Sequence, residues 1–100
     1  PFLSLIYPFS FKNSSKTLYK NNLPIKLTKR EKYFLELLLR SDNNTLSFED
    51  ITQKLWDSKV IHINTVRTFI RRFRVKTSKD LISNVSAQGY ILNLSKNNIQ

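Results

Sequence analysis

Residues 65–77 constrain this chain more than any other stretch. Val66, Ile70 and Phe73 recur at i, i+4 and i+7, and Phe69 lies beside them, so a helix here carries one apolar stripe. The rest of the segment holds four of the chain's six arginines, Arg67, Arg71, Arg72 and Arg74. Such a helix cannot stand alone: its stripe must be covered by other elements while its cationic side stays in water. The covering material exists, because 40% of the 100 residues are hydrophobic and seven Phe, four Tyr and one Trp are among them. A chain of this length makes one domain, able to bury about 60–70% of its unfolded surface.

Several kinds of chemistry are excluded by what is missing. There is no cysteine, which removes disulfides, thiolate nucleophiles and zinc–thiolate sites together. One histidine, His62, cannot build a multi-histidine metal site, and one glycine, Gly89, cannot build a phosphate-cradling loop. No metal or cofactor is therefore expected. Glu49 and Asp50 start a helix, where the dipole accounts for them without acid–base work, so an enzyme is not expected. No apolar run approaches the length that spans a bilayer. The expected setting is the cytoplasm, without membrane contact. Because the chain begins at Pro1 and not Met, a longer parent protein is expected.

Read in order, residues 3–26 alternate in strand fashion through Leu3, Leu5, Phe9 and Phe11, and Asn21-Asn22 suits the positive φ of a two-residue hairpin turn. Pro24 marks an edge strand. Thr28 and Glu31 form a capping box opening a helix over 29–40. Ser41 to Asn44 is a polar break; Ser47 with Asp50 opens a second helix over 48–56, ending at Leu55 and Trp56. After a connection from Asp57 to Ile63, Asn64 is the expected cap of the third helix, 65–77. Residues 81–94 read as a hairpin turning at Ser86 to Gly89. The fold class is α+β: an N-terminal antiparallel sheet, a three-helix core and a C-terminal β-hairpin.

The formal charge is +10, from 17 Lys and Arg against 7 Asp and Glu. Opposite the apolar stripe of the third helix lie Asn64, Thr68, Arg71 and Val75, with Thr65 and Arg72 on one flank and Arg67 and Arg74 on the other. No carboxylate occurs between Ser58 and Lys79. Helix faces in water normally mix signs, so this one calls for an external anion. Arginine forks hold a guanine edge or a phosphate with two bonds at once. A short helix, a connection and a basic helix make a helix-turn-helix, and hairpins on both sides make it a winged helix.

The runs Leu27-Thr28 with Glu31, Leu46 to Ile51, Leu55-Trp56, Thr65 to Arg74 and Ile82 to Tyr90 resemble the OmpR/PhoB-type winged-helix effector domain of bacterial two-component response regulators, over about Ile6 to Leu94. The resemblance implies sequence-specific binding to double-stranded DNA in transcription control, with a receiver domain upstream. By this likeness Thr68 and Arg72, with Arg71 and Arg67 nearby, face base edges, while Thr65 and Arg74 hold phosphates. Asn64 opens the reading helix, and Asn84 corresponds to a wing position that touches the backbone. The segment containing Ser58, Lys59, Val60, Ile61 and His62 is where relatives meet RNA polymerase. Pairs are expected to bind head to tail on DNA. Where the family's wing runs Val-Arg-Gly-x-Gly-Tyr, this chain has Val85-Ser86-Ala87-Gln88-Gly89-Tyr90. An arginine there can enter a narrow minor groove, so Ser86 implies a weaker wing contact, with Gln88 or Asn84 offering hydrogen bonds instead.

Plainer readings cover the remaining residues. Trp56, Phe69, Phe73 and Tyr90 are expected to pack, His62 to sit in an exposed loop, and Phe2, Phe9 and Phe11 to face the first helix. Lys12, Lys16 and Lys20 are expected to be solvated. The alternative functions are a basic protein-interaction module and an RNA-binding winged helix; the latter would want exposed aromatics for stacking.

Overall fold

A computed structural model describes residues 2–57, 60–86 and 89–95. The chain opens with four short strands, β1 (Phe2–Ser4), β2 (Phe9–Lys12), β3 (Thr17–Lys20) and β4 (Leu23–Ile25), paired antiparallel in chain order. Asn21 and Asn22 have φ of 53° and 66°, the conformation a two-residue hairpin needs, and Pro24 lies on the edge strand. Phe9, Phe11 and Leu18 project inward. Phe2 does not. It pairs with Lys12, while Leu3 pairs with Phe11, so pleat alternation sends Phe2 to the outer face. There it is 56% exposed and meets the edge of Tyr19 at 5.3 Å. The expectation that Phe2 faces the first helix is corrected by this register.

Helix α1 (Lys29–Arg40) starts at the capping box: the Glu31 backbone N–H donates to Thr28 Oγ1 at 3.1 Å, and the Thr28 N–H donates to Glu31 Oε1 at 2.8 Å. Its buried side, Phe34, Leu35, Leu37 and Leu38, is the centre of the core. Helix α2 (Phe48–Leu55) is capped by Ser47, whose Oγ accepts from the Asp50 N–H. Helix α3 spans Ile63–Lys76 and buries Val66, Ile70 and Phe73. Phe34 joins α1 to α3 by edge contacts with Phe69 at 5.4 Å and Phe73 at 5.6 Å.

The start of α3 differs from expectation. Its N-cap is His62, whose Nδ1 accepts from the Asn64 N–H at 3.1 Å. Ile61 packs against the core just before it, so the first turn begins at Ile63 and Asn64 lies inside the helix. Asn64 is therefore not the cap, and its side chain makes no hydrogen bond among the described residues. Lys20 and Lys16 also depart from simple solvation. Lys20 Nζ donates to Thr77 O at the end of α3, and Lys16 pairs with Glu36 at 3.3 Å.

The C-terminal hairpin, β6 (Ile82–Val85) and β7 (Gly89–Leu92), gains a third strand that sequence periodicity does not reveal. Strand β5 (Thr45–Ser47) follows a 3-10 turn and pairs with β7, giving the order β5-β7-β6. The polar break is thus followed by a strand before the second helix. Ser47 lies opposite Gly89, where a Cβ would strike Leu46 O and reach Ser47 Cα at 3.0 Å. This backbone approach, and not a special φ, requires glycine. Gly89→Ala should lower the unfolding free energy by about 1–3 kcal/mol in denaturant titration, because the neighbour is backbone and cannot swing away. A loss under about 0.5 kcal/mol, the usual surface value, would mean that β5 yields freely.

Candidate nucleic-acid interface

Burial of the Val66, Ile70 and Phe73 stripe fixes the roll of α3 and leaves its other side outward. Asn64, Thr65, Arg67, Arg71, Arg72 and Val75 are exposed, and Thr68 is half-buried. Val75 is 82% exposed, an apolar side chain standing between arginines. Among the described residues the ion pairs are Lys16–Glu36 and Lys76–Glu31, so no arginine of α3 is neutralised by a carboxylate. Arg67, Arg71 and Arg72 are exposed with nothing of opposite sign attached among the described residues.

Two open depressions flank this face. The larger, of about 1060 Å³, lies between α3 and the start of α1 and takes in Asn64, Thr65, Thr68 and Arg72. The smaller, of about 430 Å³, lies between α3 and the hairpin and takes in Arg67, Asn84 and Tyr90. Arg71 and Val75 border both. The expected base-facing residues are thereby brought onto one surface.

Arg74 is placed differently from its neighbours. Its Nε and Nη2 donate to Ile82 O at 3.1 and 2.8 Å, and Nη2 also donates to Asn84 Oδ1 at 2.9 Å. The guanidinium also lies over the Tyr90 ring, 5.7 Å from its centroid. It therefore ties α3 to β6. Tyr90 is buried against Phe48, and burial pushes its phenol above the ordinary value, opposed by the positive charges of Arg74 and then Arg67.

On the hairpin, Asn84 and Ser86 are exposed, and Ser86 has a φ of 48°; Gln88 lies outside the described residues. In the segment before α3, Val60 is fully exposed, Ile61 packs on the core and His62 caps the helix; Ser58 and Lys59 lie outside the described residues. Trp56 is half-buried, with its edge on Phe69 at 5.6 Å. Among the described residues there is no group of three or more His, Cys, Asp or Glu placed to hold a metal, and no helix is long and apolar enough to cross a membrane.

Sequence reasoning missed Lys29 and Arg30 at this surface, because they belong to α1 and only the packing of α1 beside α3 brings them to the larger depression. No local spacing signals that approach.

A four-stranded sheet, three helices and a three-stranded hairpin sheet, with a cationic third helix left open, define a winged-helix domain of the kind found in transcriptional regulators. Residues 22–92 match the family model described as transcriptional regulatory protein, C terminal, and the chain belongs to that family, the OmpR/PhoB type. It is 37% identical over 78 residues to protein RcaC of Microchaete diplosiphon, covering 72% of this chain and 12% of that protein. It is 35% identical over 81 residues to transcriptional regulatory protein QseB of Haemophilus influenzae, covering 79% of this chain and 36% of that protein. The chain thus spans about an eighth and about a third of these relatives. In fold it is similar to the DNA-binding domain of CpxR from E. coli, with a TM-score of 0.70 and 18% identity, covering 92% of this chain and 95% of that one.

Proposed function

We propose that this chain is the effector domain of a two-component response regulator and binds double-stranded DNA sequence-specifically, with α3 in the major groove. The observation carrying this is the outward side of α3, where Arg67, Arg71 and Arg72 have no carboxylate partner among the described residues. A B-DNA major groove admits one helix and presents guanine N7 and O6, which an arginine fork matches. In this reading Arg72 and Thr68 face base edges, Arg71 and Arg67 flank them, and Asn64 and Thr65 lie at the start of the helix near the phosphates. Arg74, drawn to Ile82 and Asn84, chiefly sets the wing against α3 and offers a phosphate only its remaining donors. The wing approaches the neighbouring minor groove through Asn84, Ser86 and Gln88, with no arginine to insert.

A receiver domain upstream, contact of residues 57–63 with RNA polymerase, head-to-tail pairing on DNA and a cytoplasmic setting belong to the same proposal. Selection of bound duplexes from a random pool at physiological salt tests it. The expected product is a motif repeated at about one helical turn, 10–10.5 base pairs. Recovery of no motif, with binding equal for all duplexes, would reject sequence-specific reading.

The aromatic side chains around α3 speak against single-stranded RNA as the target of this face; the exposed ones, Phe2, Tyr7 and Tyr33, belong to the N-terminal strands, the turn between them and α1. Phe34, Phe73 and Tyr90 are buried, and Phe69 packs on Phe34 and Trp56. Stacking of unpaired bases requires free ring faces.

A further inference from the structure

The depression between α1 and α3 contains charge that the reading helix does not supply. Lys29 and Arg30 border it from α1, facing Arg71, Arg72 and Lys76 of α3. The acid beside them, Glu31, is already engaged: its Oε1 accepts from Lys76 Nζ at 2.7 Å as well as from the Thr28 N–H. Lys29, Arg30, Arg71 and Arg72 have no acidic partner among the described residues, so four positive charges border one trough.

Arg30 is held in a particular way. Its Nε donates to Leu55 O at 3.1 Å, at the end of α2, and its guanidinium lies over the Trp56 ring, 4.6 Å from the centroid. One donor and one flat face are thereby used, while the two terminal amino groups donate to nothing among the described residues. A planar fork fixed in this manner loses little side-chain freedom when it meets an oxyanion, and phosphate oxygens suit its paired N–H groups. Arg74 makes the contrast: it is also held by a carbonyl, but its terminal Nη2 is taken by Ile82 O and Asn84 Oδ1.

We infer that Arg30, braced on Leu55 O and Trp56, holds a backbone phosphate of the strand that runs through this trough beside α3. Arg30 is thus a backbone-positioning residue for DNA lying outside the reading helix. The inference rests on the DNA reading above. Phosphate contacts set register and carry no base information, so Arg30 acts equally on every duplex.

The test is a salt titration of binding to a mixed-sequence duplex, with the selected duplex and its scrambled version as a second pair. Arg30→Gln keeps a donor for Leu55 O and removes the charge; Arg30→Lys restores a charge without the braced fork. Thermal unfolding of each variant identifies temperatures at which all are folded. For Arg30→Gln the slope of log affinity against log salt should become shallower by about 0.9. The fall in affinity between 50 and 200 mM salt should then shrink by about 3.5-fold, as for loss of one phosphate contact. The ratio of selected to scrambled binding should stay at its original value. Arg30→Lys should recover most of the slope. An unchanged slope in Arg30→Gln, or a changed sequence ratio, overturns the assignment. Failure of the underlying DNA reading is distinguishable, because the unsubstituted chain itself would then bind neither duplex.

Discussion

Phe34→Ala is expected to lower the unfolding free energy by about 3–5 kcal/mol, the range for removing a fully buried aromatic ring. Phe34 has no exposed surface and joins α1 to α3, with its ring in edge contact with Phe69 and Phe73. Removing it leaves a void beside Phe69 and Phe73 that cannot close without moving α1 against α3, because interiors are close-packed. Small domains are stable by only about 5–15 kcal/mol, so much of the reserve disappears. DNA binding should fall through loss of the folded fraction alone. The quantity to measure is the denaturant midpoint with its slope; a loss below about 1.5 kcal/mol, the size of an isosteric core swap, would remove the aromatic trio as the anchor of α3.

Arg72→Ala should do the opposite. Arg72 is exposed and makes no hydrogen bond or ion pair within the described chain, so stability should change by less than about 0.5 kcal/mol. Affinity for the selected duplex should drop by about 1–3 kcal/mol, and preference over scrambled DNA should relax at the bases it faces, as for a base-edge arginine. Competition binding of the two duplexes reads both effects. Equal loss on both, with unchanged preference, would move Arg72 from base reading to phosphate contact. Phe34 and Arg72 together test the two faces of the architecture separately: in the proposed reading one holds α3 in place without touching DNA, and the other touches DNA without holding α3.

Legibility in the sequence followed the range of the interaction. The Asn21-Asn22 turn and the Thr28–Glu31 box are signals within three residues, and both occur as written. The second partner of Glu31 is not: Lys76 is 45 positions away, and nothing in the spacing announces it. Hydrophobicity alone would turn Phe2 inward, whereas strand register decides its face. His62 displaced Asn64 as the cap because Ile61 docks on the core, which only packing can fix. Strand β5 is not legible in the sequence, since three residues hold too little periodicity. Gly89 was visible as a turn residue, yet its real constraint is the backbone of β5 lying against it.

The amino-acid order by itself determined that one helix would carry an apolar stripe on one side and clustered arginines on the other, since a period of 3.6 residues is local geometry. It also determined that no acid within that segment could quench them. Only the tertiary structure decided which cations share a surface. It drew Arg74 toward the wing, left Arg67, Arg71 and Arg72 open, and brought Arg30 across from α1 onto Trp56. The reason is that helix packing and strand pairing join positions tens of residues apart, and those approaches depend on the shape of the whole core, not on any short spacing along the chain.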